Sequence, residues 1–258
     1  MTYDARLYAL VHDGAPGDVA FYRRLVAGAR PAARRRVLEL GSGWGRVARA
    51  LAEDGHDVVG LERDAGMLAE AERQRADAPA PVRRRLRYVE ADMAGFSLDQ
   101  VFDRIVVPFT GIYCLPSDAA LRRCLASVRA HLAPGGLFAF DAYDADPFHA
   151  EARPEDYPDD RLDPVAEVEH EGETLTVLER STWDRDAQRL EATYVYRRAD
   201  GSVLHEASIG HRYLLSAQVR PALEAAGLAL ASMHGDFDGT PYAPGAGSLV
   251  VTATRDYA

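Results

Sequence analysis

A chain of 258 residues has room for one α/β body with an insertion, and too little for two domains of ordinary size. Its 47% apolar and 27% charged residues suit a soluble core that needs neither disulfides nor a structural metal, and a formal charge of -10 argues against a nucleic-acid partner. All 30 basic side chains are arginine, which excludes a lysine Schiff base and a phosphate-loop lysine alike.

The opening MTYDARLYALVHDGAPGD carries acidic and polar residues where a signal peptide needs a basic start and an apolar run. No later stretch reaches membrane-spanning length, so the chain is expected to work in the cytoplasm, without a membrane partner. Cys114 and Cys124 have no CxxC or Cys/His pairing, which fits reduced thiols. From Arg34 the sequence alternates buried-strand runs with amphipathic stretches, the rhythm of parallel βαβ units. VLEL reads as the first strand, followed by a glycine-rich turn and a helix through RVARALAEDG that stops at Gly55. Strand DVVGLE ends at Glu62, a helix runs from Asp64 through MLAEAERQR, and strands LRYVEAD and FDRIVVPF follow. Helix DAALRRCLASVRAHL, the turn APGG and strand LFAFDAY complete five β units over 37–143.

After Pro147 a Pro/Asp-rich stretch precedes four alternating runs, VAEVEH, TLTVLERSTW, RLEATYVYRR and SVLHEASIGHRY, which predict an antiparallel insertion. Helix SAQVRPALEAAG and strands LALASMHGD and SLVVTATR close the chain. The expected division of this single domain is a helical lid over 1–33, a core over 34–146, a cap over 147–214, and a closing helix and strands over 215–258. An exposed antiparallel cap offers an edge on which two subunits could pair as a homodimer. Arg34 to Arg36 and Arg83 to Arg85 each lead into a strand and read as solvated sheet-edge charge.

The chemistry concentrates at Glu39-Leu40-Gly41-Ser42-Gly43-Trp44-Gly45, where a strand gives way to a helix. Glycines let the backbone approach a ligand closely, and the helix start offers free N–H groups. A dinucleotide loop would read GxGxxG, but its third glycine would fall at Arg46; the spacing here is GxGxG with an acid two residues ahead. A carboxylate at Glu39 suits an ammonium group. Glu62, 23 positions later at the end of the second strand, is spaced to accept ribose hydroxyls. Asp92 follows the third strand, where it can accept from an adenine amino group, with Met67 packing on the ring.

ELGSGWG, VVGLERDAGML, YVEADM, FDRIVVPF and HLAPGGLFAFD together resemble the successive motifs of class I S-adenosylmethionine (SAM)-dependent methyltransferases. The resemblance implies an α/β, Rossmann-like, seven-stranded sheet, mostly parallel with the last strand antiparallel, helices on both faces, and SAM across the strand ends. It implies that Glu39, Gly41, Ser42, Gly43 and Gly45 surround the methionine part, Glu62 the ribose, Arg63 and Met67 the adenine ring, and Asp92 with Met93 its edge. Pro108 and Phe109 would lie beside the sulfur, and Pro108-Phe109-Thr110 departs from the Asn-Pro-Pro-type signature of many base and glutamine methylases. The lid and inserted cap resemble small-molecule N-methyltransferases acting on glycine or nucleotide-linked amino sugars, in which Tyr8 and Tyr22 would close over SAM.

Methyl transfer to a small-molecule acceptor needs alignment more than an enzyme nucleophile. Candidates for orientation or base work are Tyr8, His12, Tyr113, Tyr143, His211 and Tyr213, with a neutral histidine suited to act as base. His211 precedes the returning helix, where it can point at the methyl group, and Tyr113 follows the fourth strand. His56, His131, His149, His170, His205 and His234 have no metal spacing, and no metal is expected. Gly41-Ser42-Gly43 fails the GxSxG nucleophile elbow because residue 40 is leucine. An amine is the favoured acceptor. The alternatives are a hydroxyl or carboxylate acceptor, an NAD-dependent oxidoreductase on the same fold, and a SAM-binding protein without transfer activity.

Overall fold

The alternation of apolar strands and amphipathic helices folds as expected around one large sheet. The computed structural model describes residues 3–29, 33–158 and 160–255. Helices α1 (Ala5–Val11) and α2 (Asp18–Ala27) open the chain; Asp4 caps α1 by accepting from the Arg6 and Leu7 N–H groups. The core then runs β1 (Arg36–Leu40), α3 (Arg46–Glu53), β2 (Asp57–Glu62), α4 (Ala65–Asp77), α5 (Ala80–Arg85), β3 (Leu86–Glu90), β4 (Phe102–Val107), α6 (Asp118–His131), β5 (Leu132–Tyr143) and α7 (Asp146–Glu151). The cap is β6 (Asp163–His170), β7 (Glu173–Asp184), β8 (Arg189–Arg197) and β9 (Val203–Arg212). The chain closes with α8 (Ser216–Ala225), β10 (Leu228–His234) and β11 (Ser248–Arg255).

The seven-stranded sheet has the order β10-β11-β5-β4-β1-β2-β3, and β11 alone runs against its neighbours. Strand order reverses between β4 and β1, where α/β sheets open a crevice at the strands' carboxyl ends. The central strands bury both faces. Leu38, Leu40, Ile105, Phe138 and Phe140 face α6 and α8, while Val37, Val106 and Ala139 pack with Val47 and Leu51 of α3 and Tyr22 and Val26 of α2. Burying each such leucine or valine contributes about 1.5–3 kcal/mol, which keeps the strand ends rigid.

Two local expectations change. Arg83–Arg85 lead directly into β3 as expected, but they do so as the last turn of the short α5, whose N-cap Pro79 and Pro81 preset helical φ at its first turn. There Arg83 donates to the Ala78 carbonyl at 2.7 Å. The APGG segment is carried within β5, with a register shift between the Phe102 and Arg104 pairings.

The cap is a separate four-stranded sheet, β6-β7-β8-β9. Its inner face packs Leu175, Val177 and Tyr196 on Leu7 of α1, and the Tyr196 hydroxyl donates to the Leu7 carbonyl at 3.1 Å. The lid is thereby fastened to the cap. No helix among the described residues is long and apolar enough to cross a membrane.

Candidate active site

A cavity of about 320 Å³ opens at the carboxyl ends of β1, β2 and β4, beneath α1 and β9. Of the residues singled out from sequence, Tyr8, His12, Glu39, Gly41, Ser42, Gly43, Glu62, Arg63, Met67, Asp92, Met93, Pro108 and Phe109 line it. The parallel register explains the convergence: Glu39 lies level with Gly60 and Val106, and Glu62 with Glu90, so successive strand tips finish on one rim. Gly41 and Gly43 hold φ of 65° and 54°, a left-handed bend that exposes backbone to the cavity at little steric cost.

The acids differ in how they are held. Glu62 is buried, and its carboxylate accepts from the Gly43, Arg63 and Asp64 N–H groups at 2.8 Å each. Those bonds leave lone pairs free, since a carboxylate offers about four acceptor sites. Glu39 is 3% exposed and its Oε2 is buried without a partner. Burial pushes its carboxyl up to about 8, partly opposed by Arg46. Asp92 is exposed, accepts from the Ala94 N–H, and stands 3.9 Å from Arg63.

Arg46, the residue that spoils the dinucleotide spacing, grips Asp18 of α2 through both terminal nitrogens at 2.9 and 2.5 Å. Its guanidinium also lies 5.8 Å from the Phe109 ring centroid. Asp141, at the end of β5, was not legible as a site residue. It accepts from Tyr22 Oη at 2.6 Å and from the Phe109 N–H at 2.9 Å, and its carbonyl takes the Thr110 N–H at 3.0 Å. Phe109 and Thr110 have φ of 51° and 62°, a strain of about 1–3 kcal/mol per residue that surrounding bonds must hold. Burial raises Asp141 to about 6, against the hydrogen bonds from Tyr22 and Phe109.

Five expectations need correction. Tyr22 does not close over the cavity; it is fully buried behind it, because its hydroxyl is committed to Asp141. Gly45 (φ 92°) turns to the protein interior, where an added Cβ would sit 2.0 Å from Tyr88 Oη. Tyr113 is fully buried, with its hydroxyl donating to the Tyr143 and Leu214 carbonyls. His211 stands outside the lining and packs 5.8 Å from the Tyr143 ring and 6.4 Å from Tyr113. Tyr213 is likewise buried, bonded to Trp183 and His149. Sequence reading also missed Tyr3, Arg46 and the β9 segment Ser208, Ile209 and Gly210, which line the cavity as well.

His12 is the histidine that reaches the cavity, stacked 4.4 Å from Tyr8 and 4.7 Å from Tyr194. Burial pulls its imidazole down to about 4, and the neighbouring His211 adds to this; burial does the same to His211. Both rings are neutral at pH 7 and both are weak bases. Among the described residues, seven buried side-chain polar atoms lack a hydrogen-bond partner, and four of them belong to this lining. Glu39 Oε2 and Ser42 Oγ mark one end; Tyr3 Oη and His12 Nε2 mark the other. Orphaned buried polar atoms are costly, so their clustering at a cavity points to a ligand that satisfies them.

A family profile described as a methyltransferase domain matches residues 37–136. The dTDP-3-amino-3,6-dideoxy-alpha-D-glucopyranose N,N-dimethyltransferase of Streptomyces fradiae is 30% identical over 255 residues, spanning 93% of this chain and 92% of that one. The chain is a SAM-dependent methyltransferase. Among solved structures, this methyltransferase is similar to CcbJ from Streptomyces caelestis, with TM-score 0.77, 26% identity and 96% of each chain covered. It is also similar to SAM-bound CalS10, an amino pentose methyltransferase from Micromonospora echinaspora, with TM-score 0.67, 26% identity, and 99% and 98% of the two chains covered. The methyltransferase's cavity fits SAM in its donor set: a buried carboxylate free to meet an ammonium, a second free to meet hydroxyls, and exposed backbone at a helix start.

Proposed function

We propose that this methyltransferase N-methylates a small amine, holding SAM along the rim of strand-end acids and the amine beneath the lid. In this reading Glu39, Gly41, Ser42 and Gly43 surround the methionine part of SAM, Glu62 takes the ribose hydroxyls, and Arg63, Met67, Asp92 and Met93 surround the adenine. Pro108 and Phe109 sit beside the sulfur. When bound, the cofactor would supply a methyl carbon activated by a positively charged sulfur, open to in-line attack by an amine lone pair with the neutral thioether as leaving group. The chain's residues align and exclude water. Phe109, fixed by Asp141, forms a rigid wall, and α1, latched to the cap, covers the reacting atoms.

The observation that carries the amine assignment is His12, whose buried Nε2 has no partner and whose ring centroid lies 6.3 Å from that of Phe109. An imidazole lowered to about 4 is too weak a base to deprotonate an ammonium efficiently, but it is a dependable neutral acceptor for an amine N–H. His12 therefore orients the lone pair, and the proton leaves the amine to solvent. Purified protein given SAM and amine panels is expected to form S-adenosylhomocysteine and N-methylated product; methylation of hydroxyls but not amines would refute the assignment. The protein is read as cytoplasmic. The open edge of the cap sheet, β6, is the surface on which a homodimer would form.

A further inference from the structure

We infer that the acceptor is an unphosphorylated, hydroxylated amine, and that Glu179 on the inner face of the cap selects it against nucleoside-diphosphate-linked substrates. The inference rests on the methyltransferase reading of the same cavity and narrows its substrate class.

The acceptor end is lined by Tyr3, Tyr8, His12, Ser208, Ile209 and Gly210, which are aromatic, hydroxyl-bearing or apolar. Behind them stands a carboxylate. Glu179 pairs across strands with Tyr194 and accepts from Ser181 Oγ at 2.8 Å. Its charge reaches Tyr3, and Tyr194 meets His12 edge to face, so Glu179 lies one aromatic ring behind two lining residues. It makes no ion pair among the described residues, although 30 of the 258 side chains are cationic.

A diphosphate needs arginines or comparable donors aimed at it. Two arginines line the cavity, and neither is available to the acceptor. Arg46 is chelated by Asp18, and Arg63 faces Asp92 at the end read as holding adenine. An anionic ligand placed under the lid would lie in the field of Glu179, one ring away, and lose hydration without recovering a cation. The free polar atoms there favour the opposite ligand. His12 Nε2 and Tyr3 Oη are the free polar atoms there, and with the Glu179 carboxylate behind them they suit a molecule rich in N–H and O–H donors. This separates the chain from its relative of Streptomyces fradiae, whose name specifies a dTDP-linked sugar.

A matched pair tests the inference: dTDP-3-amino-3,6-dideoxy-α-D-glucopyranose against the methyl glycoside of the same amino sugar. S-adenosylhomocysteine is titrated first by calorimetry; no binding would overturn the methyltransferase reading itself. In protein saturated with S-adenosylhomocysteine, dTDP alone is expected to bind no tighter than about 1 mM. The glycoside is expected to bind at least about tenfold tighter than the nucleotide sugar. Tighter binding of the nucleotide sugar, or of dTDP below about 100 µM, would overturn the inference with the SAM site intact. Glu179→Gln is expected to raise KM for the methylated amine about tenfold, with a smaller change in kcat and no change in S-adenosylhomocysteine affinity. An unchanged KM would remove Glu179 from recognition.

Discussion

The two ends of the cavity are built on different principles. The end proposed to hold SAM hangs on parallel strands whose tips are locked by sheet register, and its acids are held within the core: Glu62 by three backbone N–H groups, Glu39 by burial near the end of β1. The end proposed for the acceptor is assembled from a seven-residue helix, an antiparallel cap and a cluster of edge-to-face and tilted rings, Tyr3, Tyr8, His12 and Tyr194. One end is positioned by hydrogen bonds within the core. The other is positioned by side chains meeting from distant parts of the chain. A cofactor shared across a family can be served by a fixed rim, whereas an acceptor peculiar to one enzyme needs parts that vary independently.

That contrast breaks most sharply at Glu62. Glu62→Ala is expected to weaken SAM binding about 100-fold by calorimetry, because it removes the acceptor and orphans three N–H groups. Undiminished affinity would remove the rim assignment. At the other end, His12→Ala is expected to cut kcat/KM for the amine about thirtyfold while SAM affinity stays within about twofold. Loss of SAM binding in that variant would merge the two ends into one. Between them, Tyr22→Phe is expected to lower kcat about fivefold by loosening Asp141 and the strained Phe109–Thr110 turn, measured in steady-state assays. His211→Ala, outside the lining, is expected to affect turnover less than His12→Ala.

The smallest effect concerns pH and stability. Glu39 has its folded pKa raised from 4.5 to about 8, so its contribution favours the folded state below pH 4.5 and is lost as pH rises through 8. Glu39→Gln removes that loss. Its Tm is expected to exceed the parent's by more at pH 7.5 than at pH 5.5, by a few degrees in thermal scans.

The cofactor end was largely legible in the sequence because its signals are local: ELGSGWG, the acid ending DVVGLE and the acid in VEADM each sit at a strand-to-helix turn. Strand register does the rest. The acceptor end was legible only in part. Tyr8 and His12 were found through the likeness of the opening segment to a lid, but His211 was placed by its chain position, and the neighbouring Ser208, Ile209 and Gly210 line the cavity while it packs on Tyr113 and Tyr143. Tyr22 and Asp141 explain themselves only together, since neither has a sequence neighbour that announces the other 119 residues away. Arg46 was read as a missing glycine, and its pairing with Asp18 links positions 28 residues apart.

The central claim is that an uncompensated carboxyl at Glu39 waits for the ammonium of SAM. Calorimetric titration with S-adenosylhomocysteine at pH 7, in buffers of different ionisation enthalpy, tests it directly. The account predicts release of close to one proton as Glu39 ionises against the ammonium, and loss of that release in Glu39→Gln. Binding with no net proton release, or a release that survives in Glu39→Gln, would contradict it.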